Sequence, residues 1–403
     1  MSKAVAATES AERLLLKPYT LRGGIELENR VVMAPMTRAR ASEPDGIPSP
    51  EAATYYSQRA GAGLVVTEAT NISLHGKGFG QTPGCYTDQQ EAAWADVADA
   101  VHSRGGCIFM QHWHVGRLAS RETCGDVPLA PSQQTAPARV WAVRSDGWKG
   151  AVPCDEAREM TVSDIRQVVN EHRDAAVRAV RAGFDGVELH GANGYLIDQF
   201  LRSTTNKRQD DYGGSPTARC RFLSEVVDAV VDAIGAKRVG VRLSPRIGYA
   251  DGADPEMETT TLLAASVLEG KGIAYLHVAE ADSLADDLEP LSEEFRADLR
   301  ERFTGPLIVA HQYDVNRGEA ALASGLADLV AFGRPFLANP DLVDRIAHGV
   351  PWAPTPEKKF WYSGEDSGYI DWPTSELPDG LNGRILDEAS IAEVQASSRT
   401  MGS

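Results

Sequence analysis

Short runs of apolar and β-branched residues recur along the chain, and stretches with helical patterning separate them. The runs are VVMAP (31–35), LVVTEA (64–69), CIFMQHW (107–113), GVELHG (186–191), VGVRLSP (239–245), IAYLHVAE (273–280), PLIVAH (306–311) and LVAFGR (329–334). Eight buried strands that alternate with helices predict a (β/α)8 barrel, whose functional residues lie at the C-terminal ends of the strands. The alternative is an open, doubly wound sheet, but no GxGxxG motif follows an early strand.

Two segments do not fit the βα repeat. Residues 17–30 carry Gly23-Gly24 between short alternating runs, which predicts a hairpin that closes the bottom of the barrel. Residues 114–162 are long and rich in Pro, Gly and Trp, and we expect them to form a lid or subdomain over the mouth of the barrel.

Helix punctuation and the chain ends give the domain boundaries. Ser215 and Pro216 read as the N-cap and first residue of a helix that runs to about Ile234. Beyond residue 373 the sequence predicts one short helix and a disordered end. We therefore expect an N-terminal extension (1–16), a barrel (17–373) and a C-terminal tail (374–403).

Composition narrows the class of partner. The chain has 403 residues, a formal net charge of −17 and a pI near 5.0, which argues against nucleic acid and anionic membranes and favours a small-molecule partner. Its five cysteines form no CxxC pair, and the sequence has no apolar run long enough for us to expect a signal peptide or a membrane span. We expect a cytoplasmic protein with free thiols, either a monomer or a homodimer.

The richest chemistry follows the fourth strand, in the sequence GVELHGANGY (186–195). His190 and Asn193 are suited to donate hydrogen bonds to a carbonyl oxygen that gains negative charge, and Tyr195 is suited to supply a proton. This set fits the reduction of a C=C bond conjugated to a carbonyl. Such a reaction also requires a hydride source.

The strand ends and one loop carry a series of motifs: MAPMTR, TEAT, MQHWHVGR, HGANGYL, VRLSP and AFGRPFLANPDL, together with the loop NKRQDDYGGSPTAR. Over about residues 17–373 they resemble those of the old yellow enzymes, which are FMN-dependent ene-reductases. The resemblance implies that Pro35, Met36 and Thr37 lie beside the flavin, with the Thr37 hydroxyl near its O4 atom, and that the backbone of Ala69 packs on the ring edge. A sister group has Cys in place of Thr37, so this chain is similar to the classical group.

Gln111 is the residue whose chemistry best fits the flavin ring, because an amide pairs with a donor and an acceptor at once. The resemblance implies that Gln111 forms hydrogen bonds with the donor N3 and the acceptor O2 of the isoalloxazine. Trp113 shares its strand face and should border the substrate pocket. His112 and His114 then point the other way, and we expect no metal site there.

Arg242 lies on a strand that is otherwise apolar, and a buried cation needs a partner. The resemblance implies that it stabilises negative charge at flavin N1 and C2=O. An ion pair with a core carboxylate such as Glu188 is the structural alternative, and the two are compatible.

The phosphate of FMN is expected at the loops after the seventh and eighth strands. Gly333 and Arg334 would supply backbone approach and a charge-assisted bond there. The chain departs from its family at His311-Gln312, where a glycine-containing pair is usual. Either these side chains replace amide contacts, or FMN is bound differently or more weakly.

Two aromatic residues, Phe79 and Tyr362, match positions over the substrate site, and both also suit packing. The resemblance implies an FMN-dependent oxidoreductase that is reduced by NADPH or NADH and reduces α,β-unsaturated carbonyl compounds or nitroalkenes with ping-pong kinetics. The alternatives are flavin-dependent oxidation, isomerisation or cyclisation on the same scaffold and, more remotely, a non-catalytic ligand-binding barrel.

Overall fold

The computed structural model describes residues 13–247, 254–280, 291–362 and 367–375 of the chain. The residues before 13 and after 375, which include most of the predicted extension and tail, lie outside this description.

The strands are β1 (Tyr19–Thr20), β2 (Glu26–Leu27), β3 (Val31–Met33), β4 (Leu64–Val66), β5 (Thr70–Asn71), β6 (Ile108–Trp113), β7 (Leu129–Ala130), β8 (Gln134–Thr135), β9 (Arg139–Val143), β10 (Lys149–Pro153), β11 (Glu156–Glu159), β12 (Gly186–Gly191), β13 (Val239–Leu243), β14 (Tyr275–Ala279), β15 (Leu307–Ala310) and β16 (Leu329–Phe332). Eight of them pair in parallel in the order β3-β4-β6-β12-β13-β14-β15-β16, and β16 pairs with β3. The sheet is therefore closed, and the predicted (β/α)8 barrel is confirmed.

Several barrel strands end before the apolar runs that predicted them. The N–H of Ala34 still donates to the carbonyl of Phe332 at 3.0 Å, but Pro35 has no N–H with which to continue the ladder. The predicted strand 31–35 thus ends at Met33. The residues beyond the ladder turn toward the barrel mouth, where Ala34 and Pro35 line a cavity.

The helices are α1 (Glu51–Ser57), α2 (Asp88–His102), α3 (Arg121–Cys124), α4 (Val162–Arg181), α5 (Leu196–Leu201), α6 (Pro216–Arg219), α7 (Arg221–Ile234), α8 (Met257–Lys271), α9 (Glu293–Arg302), α10 (Val315–Ala323), α11 (Pro335–Ala338) and α12 (Leu342–His348). The short 3₁₀ turns are Leu14–Leu16, Ala236–Arg238 and Lys358–Phe360. No helix among the described residues has the length and apolar character that a membrane span requires.

The prediction of a single helix from Pro216 to about Ile234 is wrong about its continuity, because the segment is split into α6 and α7 at Cys220. The N–H of Cys220 donates to both Pro216 (3.3 Å) and Thr217 (3.2 Å), which tightens the turn toward 3₁₀ geometry. The predicted cap is present, since the Ser215 hydroxyl accepts from the N–H of Ala218.

The predicted hairpin closes the N-terminal end of the barrel. β1 and β2 pair antiparallel, and Leu21 and Leu27 pack in one buried cluster with the barrel side chains Phe109, Tyr275 and Ile308. The opposite end, formed by the C-terminal ends of the strands, stays open for a ligand-binding site.

Residues 114–162 form the predicted lid from α3 and the strands β7 to β11. The strands β9 and β10 make an antiparallel hairpin, and β11 joins β7 and β8 in a three-stranded sheet. The N–H of Gly80 donates to the Trp141 carbonyl at 2.7 Å, which ties the lid to the loop after β5.

Candidate active site

A large cavity opens at the C-terminal ends of the barrel strands, beside the lid. Its volume is about 1140 Å³, above the roughly 300–1,000 Å³ of ordinary ligand pockets. Every site residue nominated from the sequence lines it: Pro35, Met36, Thr37, Ala69, Phe79, Gln111, Trp113, His190, Asn193, Tyr195, Arg242, His311, Gln312, Gly333, Arg334 and Tyr362. The cavity is large enough for a cofactor and a substrate together.

The end of β12 and the turn that follows it position His190, Asn193 and Tyr195. Asn193 has φ 58° and Gly194 has φ 80°, a left-handed pair that asparagine and glycine accept. The carboxylate of Asp198 accepts from the N–H of Gly194 at 2.7 Å, and the side chain of Gln199 donates to its carbonyl at 2.7 Å. Side chains of α5 therefore hold the backbone of this turn, and Tyr195 immediately precedes the first residue of that helix.

His190 is a neutral donor in this arrangement. Burial lowers its pKa well below the ordinary range, with smaller contributions from Arg242 and His277. The N–H of Ala192 donates to Nδ1 at 3.4 Å, so Nδ1 is an acceptor and the ring proton belongs on Nε2. Nε2 is thus available to donate a hydrogen bond.

Aromatic rings border the proposed substrate side of the cavity. Phe79 stacks on Trp113 with centroids 5.6 Å apart, and Tyr195 meets Trp113 edge-on at 4.9 Å. Tyr195 also lies edge-on to His190 at 4.9 Å. The phenol and the imidazole are therefore neighbours, as the sequence predicted, while Tyr362 is 47% exposed at the mouth.

A buried carboxylate organises the residues around Gln111. Glu188 is fully buried and accepts hydrogen bonds from Gln111 Nε2 (2.7 Å), Tyr275 Oη (3.1 Å) and His277 Nδ1 (2.9 Å). Because Nε2 of Gln111 is held by this carboxylate, the orientation of the amide is set. Its Oε1 atom is then the acceptor left for a ligand.

Arg242 does not form the direct ion pair with Glu188 that the sequence offered as an alternative. The carboxylate is occupied by the three donors named above, and Arg242 acts on it through its charge, which lowers the pKa of Glu188. Nε of Arg242 is buried and has no hydrogen-bond partner in the described structure. A buried, unpaired donor beside a cavity indicates a ligand with acceptor atoms.

The loop after β15 has an unusual backbone at His311 and Gln312, where the sequence departs from the expected glycine-containing pair. His311 has φ 152° and Gln312 has φ 47°, values that L side chains rarely adopt. Both residues line the cavity together with Gly333 and Arg334, which follow β16. The two loops predicted to hold a phosphate therefore follow neighbouring strands and line the same cavity.

These features fit FMN. The amide of Gln111 and the guanidinium of Arg242 suit the polar edge of an isoalloxazine, and small side chains such as Ala34, Ala69 and Ala331 leave space for a flat ring. Arg334 and the loop after β15 suit a phosphate. Residues that suit the ring and residues that suit the phosphate thus line one cavity.

The histidines beside Gln111 lie away from the cavity. His112 is fully buried with its ring centroid 6.3 Å from that of His172 in α4, and His114 accepts from the N–H of Gly116. Across the described ranges, no group of three His, Cys, Asp or Glu residues has a metal-binding arrangement.

Sequence reasoning missed several lining residues. Lys358, Lys359 and Trp361 come from a segment after α12 without regular periodicity, and the guanidinium of Arg334 lies 5.5 Å from the Trp361 ring centroid. Arg139 lies on β9, whose alternating RVWAV pattern was a usable signal.

Comparison with known proteins identifies the family. The model of the NADH:flavin oxidoreductase / NADH oxidase family matches residues 14–352. The chain belongs to this family, the old yellow enzymes. It is an FMN-dependent oxidoreductase that takes reducing equivalents from NAD(P)H and reduces the C=C bond of unsaturated compounds.

Individual relatives agree over nearly the whole chain. A putative 12-oxophytodienoate reductase 11 from Oryza sativa subsp. japonica is 42% identical over 89% of this chain and 97% of that protein. The 12-oxophytodienoate reductase 2 of Arabidopsis thaliana is 40% identical over 90% and 96%. The solved structure of morphinone reductase has 43% identity and a TM-score of 0.87, covering 92% of this chain and 99% of its own.

Proposed function

We propose that the substrates of this enzyme are α,β-unsaturated carbonyl compounds or nitroalkenes, and that His190 and Asn193 bind the oxygen of the activating group. The proposal rests on the neighbouring positions of His190 and Tyr195 on one cavity wall. A neutral imidazole with its proton on Nε2 donates to an oxygen that gains negative charge and lowers the barrier to attack at the conjugated carbon.

The proposed proton donor is Tyr195. Its phenol lies beside the imidazole, so an alkene whose oxygen is bound at His190 has its α-carbon within the reach of this side chain. Phe79, Trp113 and Tyr362 supply apolar walls that exclude water and hold the alkene flat. These roles make Tyr195 the catalytic acid and the three aromatic residues determinants of substrate shape.

The proposed cofactor contacts follow the fit described above. Pro35, Met36, Thr37, Ala69, Gln111 and Arg242 would hold the ring, and His311, Gln312, Gly333 and Arg334 would hold the phosphate. When bound, FMN would supply the hydride transfer, first from the nicotinamide to the flavin and then from the flavin to the β-carbon of the alkene. One cavity serves both reactants in turn, which predicts ping-pong kinetics.

A stepwise spectroscopic experiment tests the proposal. Purified protein should show the visible spectrum of bound oxidised flavin, lose it on anaerobic addition of NADPH or NADH, and regain it when cyclohexenone or a nitroalkene is added. Bleaching by the nicotinamide without recovery on addition of any activated alkene would overturn the assigned substrate class.

A further inference from the structure

Arg317 donates hydrogen bonds to the backbone of the loop after β15. Arg317 of α10 donates from Nη1 to the carbonyl of His311 at 2.6 Å and makes a longer contact of 3.4 Å to the carbonyl of Gln312. Both residues of this loop have positive φ angles. The same side chain therefore contacts both strained positions.

Arg317 is itself held in place. Its Nη2 donates to the buried carboxylate of Glu280 at 2.9 Å, and its guanidinium lies 4.1 Å from the ring centroid of Tyr313. The Tyr313 hydroxyl donates to the other oxygen of Glu280 at 3.1 Å. Loop, tyrosine, arginine and carboxylate thus form one connected cluster.

The contact of Arg317 with these carbonyls also determines which way the neighbouring N–H groups point. In a planar trans peptide the C=O and N–H point in opposite directions. Because Arg317 holds the carbonyls of His311 and Gln312, the N–H groups of Gln312 and Tyr313 turn away from it. Successive N–H groups that face one side form an anion-binding concavity.

We propose that Arg317 is a positioning residue for the phosphate of the cofactor. It holds His311 and Gln312 in the backbone conformation that directs the N–H groups of Gln312 and Tyr313 toward the phosphate. A conformation that is costly for L side chains persists only when its surroundings fix it, and Arg317 supplies that restraint through the loop carbonyls. This inference rests on the proposed placement of the phosphate at this loop.

The test is the dissociation constant of FMN for the apoprotein, measured by flavin fluorescence quenching. Arg317→Met should weaken FMN binding by about tenfold or more, as expected for loss of charge-assisted bonds that fix the loop. Arg317→Lys keeps the charge beside Glu280 but loses the planar fork, so its effect should lie between wild type and Arg317→Met. The lysine variant also serves if the methionine variant does not fold.

Arg296→Met is the matched control. Arg296 pairs with the same carboxylate, Glu280, at 2.9 Å, but within the described residues its side-chain hydrogen bond goes to Glu280 and not to the loop carbonyls. Its replacement should change FMN affinity by less than about threefold, while thermal unfolding of the apoprotein reports any general loss of stability.

A double-mutant cycle separates backbone positioning from a general charge effect. In a His311→Gly/Gln312→Gly background the left-handed conformation is no longer costly, so Arg317→Met should weaken FMN binding by less than about threefold. An equal loss in the native and glycine backgrounds would overturn the proposal, as would Arg317 variants with wild-type affinity.

Failure of the phosphate placement itself gives a different pattern. Arg334→Gln should weaken FMN binding if the phosphate lies at this loop. If Arg334→Gln and Arg317→Met both leave affinity unchanged, the placement is wrong. If only Arg334→Gln weakens binding, the placement stands and the role of Arg317 is rejected.

Discussion

Nε2 of Gln111 donates to Oε1 of Glu188 at 2.7 Å, in a part of the barrel where both side chains are almost inaccessible to solvent. Although burial opposes ionisation of Glu188, the hydrogen bond from His277 and the charge of Arg242 bring its pKa below the ordinary value. Glu188 thus orients the amide of Gln111, which we propose to contact the flavin, and it also supplies the negative charge next to that amide.

Glu188→Gln should therefore make the two-electron potential of bound FMN more positive. Removal of the carboxylate leaves Arg242 uncompensated, which favours the reduced cofactor because negative charge gathers at its N1–C2=O edge. We expect a shift of about 30 mV or more, which is tenfold in the reduction equilibrium. Equilibration with a reference dye under anaerobic conditions measures it.

Tyr275→Phe is the control for this prediction. It removes a neutral donor from the same carboxylate (3.1 Å) without changing charge, so the potential should stay close to wild type. A potential that is unchanged in Glu188→Gln, with lower thermal stability, would assign Glu188 to packing alone.

Tyr195→Phe should separate the two halves of the reaction. Reduction of the bound cofactor by NADPH needs no phenol, whereas protonation of the α-carbon does, and a positioned acid contributes ~10²–10⁴-fold. Stopped-flow absorbance should show normal bleaching by NADPH and slow recovery with cyclohexenone. Tyr212→Phe removes a hydroxyl that donates to Glu225 at 2.9 Å outside the cavity lining, so it should leave both rates near wild type. Equal slowing of both phases in Tyr195→Phe would assign Tyr195 to structure.

Much of this architecture was predictable, and the exceptions have specific physical causes. The eight runs located every barrel strand because a buried parallel strand is almost entirely apolar. Their ends were misplaced at residues such as Pro35, where the side chain stays apolar while the backbone leaves the ladder. The residues of the turn at 190–195 were found because their chemistry is concentrated in six positions.

The network around Glu188 was harder to predict. A carboxylate in an apolar strand signals a buried partner, but its partners Tyr275 and His277 lie far away along the chain. Barrel closure and strand register bring them together, and periodicity alone does not report register between distant strands. The contacts of Arg317 with the loop carbonyls were missed for a different reason. An arginine in a surface helix fits the amphipathic pattern of that helix, so nothing in the sequence called for a further role.

A phenol should bind the oxidised enzyme through His190 and Asn193. With p-hydroxybenzaldehyde the phenolate oxygen accepts both hydrogen bonds, and a long-wavelength absorption band should report its stacking on the cofactor. Each charge-assisted bond contributes about 1.5–3 kcal/mol, so His190→Ala/Asn193→Ala should weaken binding by about 100-fold or more. An unaltered titration would place the oxyanion site elsewhere, and Phe79→Leu controls for loss of aromatic packing.

The buried pair His112 and His172 should make the protein less stable in mild acid. Burial lowers the pKa of each to about 3, and all four of their ring nitrogens lack hydrogen-bond partners among the described residues. Between the unfolded pKa near 6.5 and about 3 the unfolded state binds more protons than the folded state, so stability falls as pH decreases through this window. Each histidine should cost about 2 kcal/mol between pH 7 and pH 5.

Replacement of this pair by apolar residues should therefore flatten the pH dependence. His112→Leu/His172→Phe removes two groups that must stay unprotonated in the core, and it restores apolar contacts between β6 and α4. Urea unfolding of the FMN-loaded protein at pH 5 and pH 7 should show a smaller stability difference than wild type, with the gain concentrated at pH 5. His348→Gln, at an exposed position in α12, should leave the wild-type difference intact. If the double variant loses as much stability as wild type on acidification, the acid sensitivity belongs to other buried groups, of which His114 and His277 also have a lowered pKa.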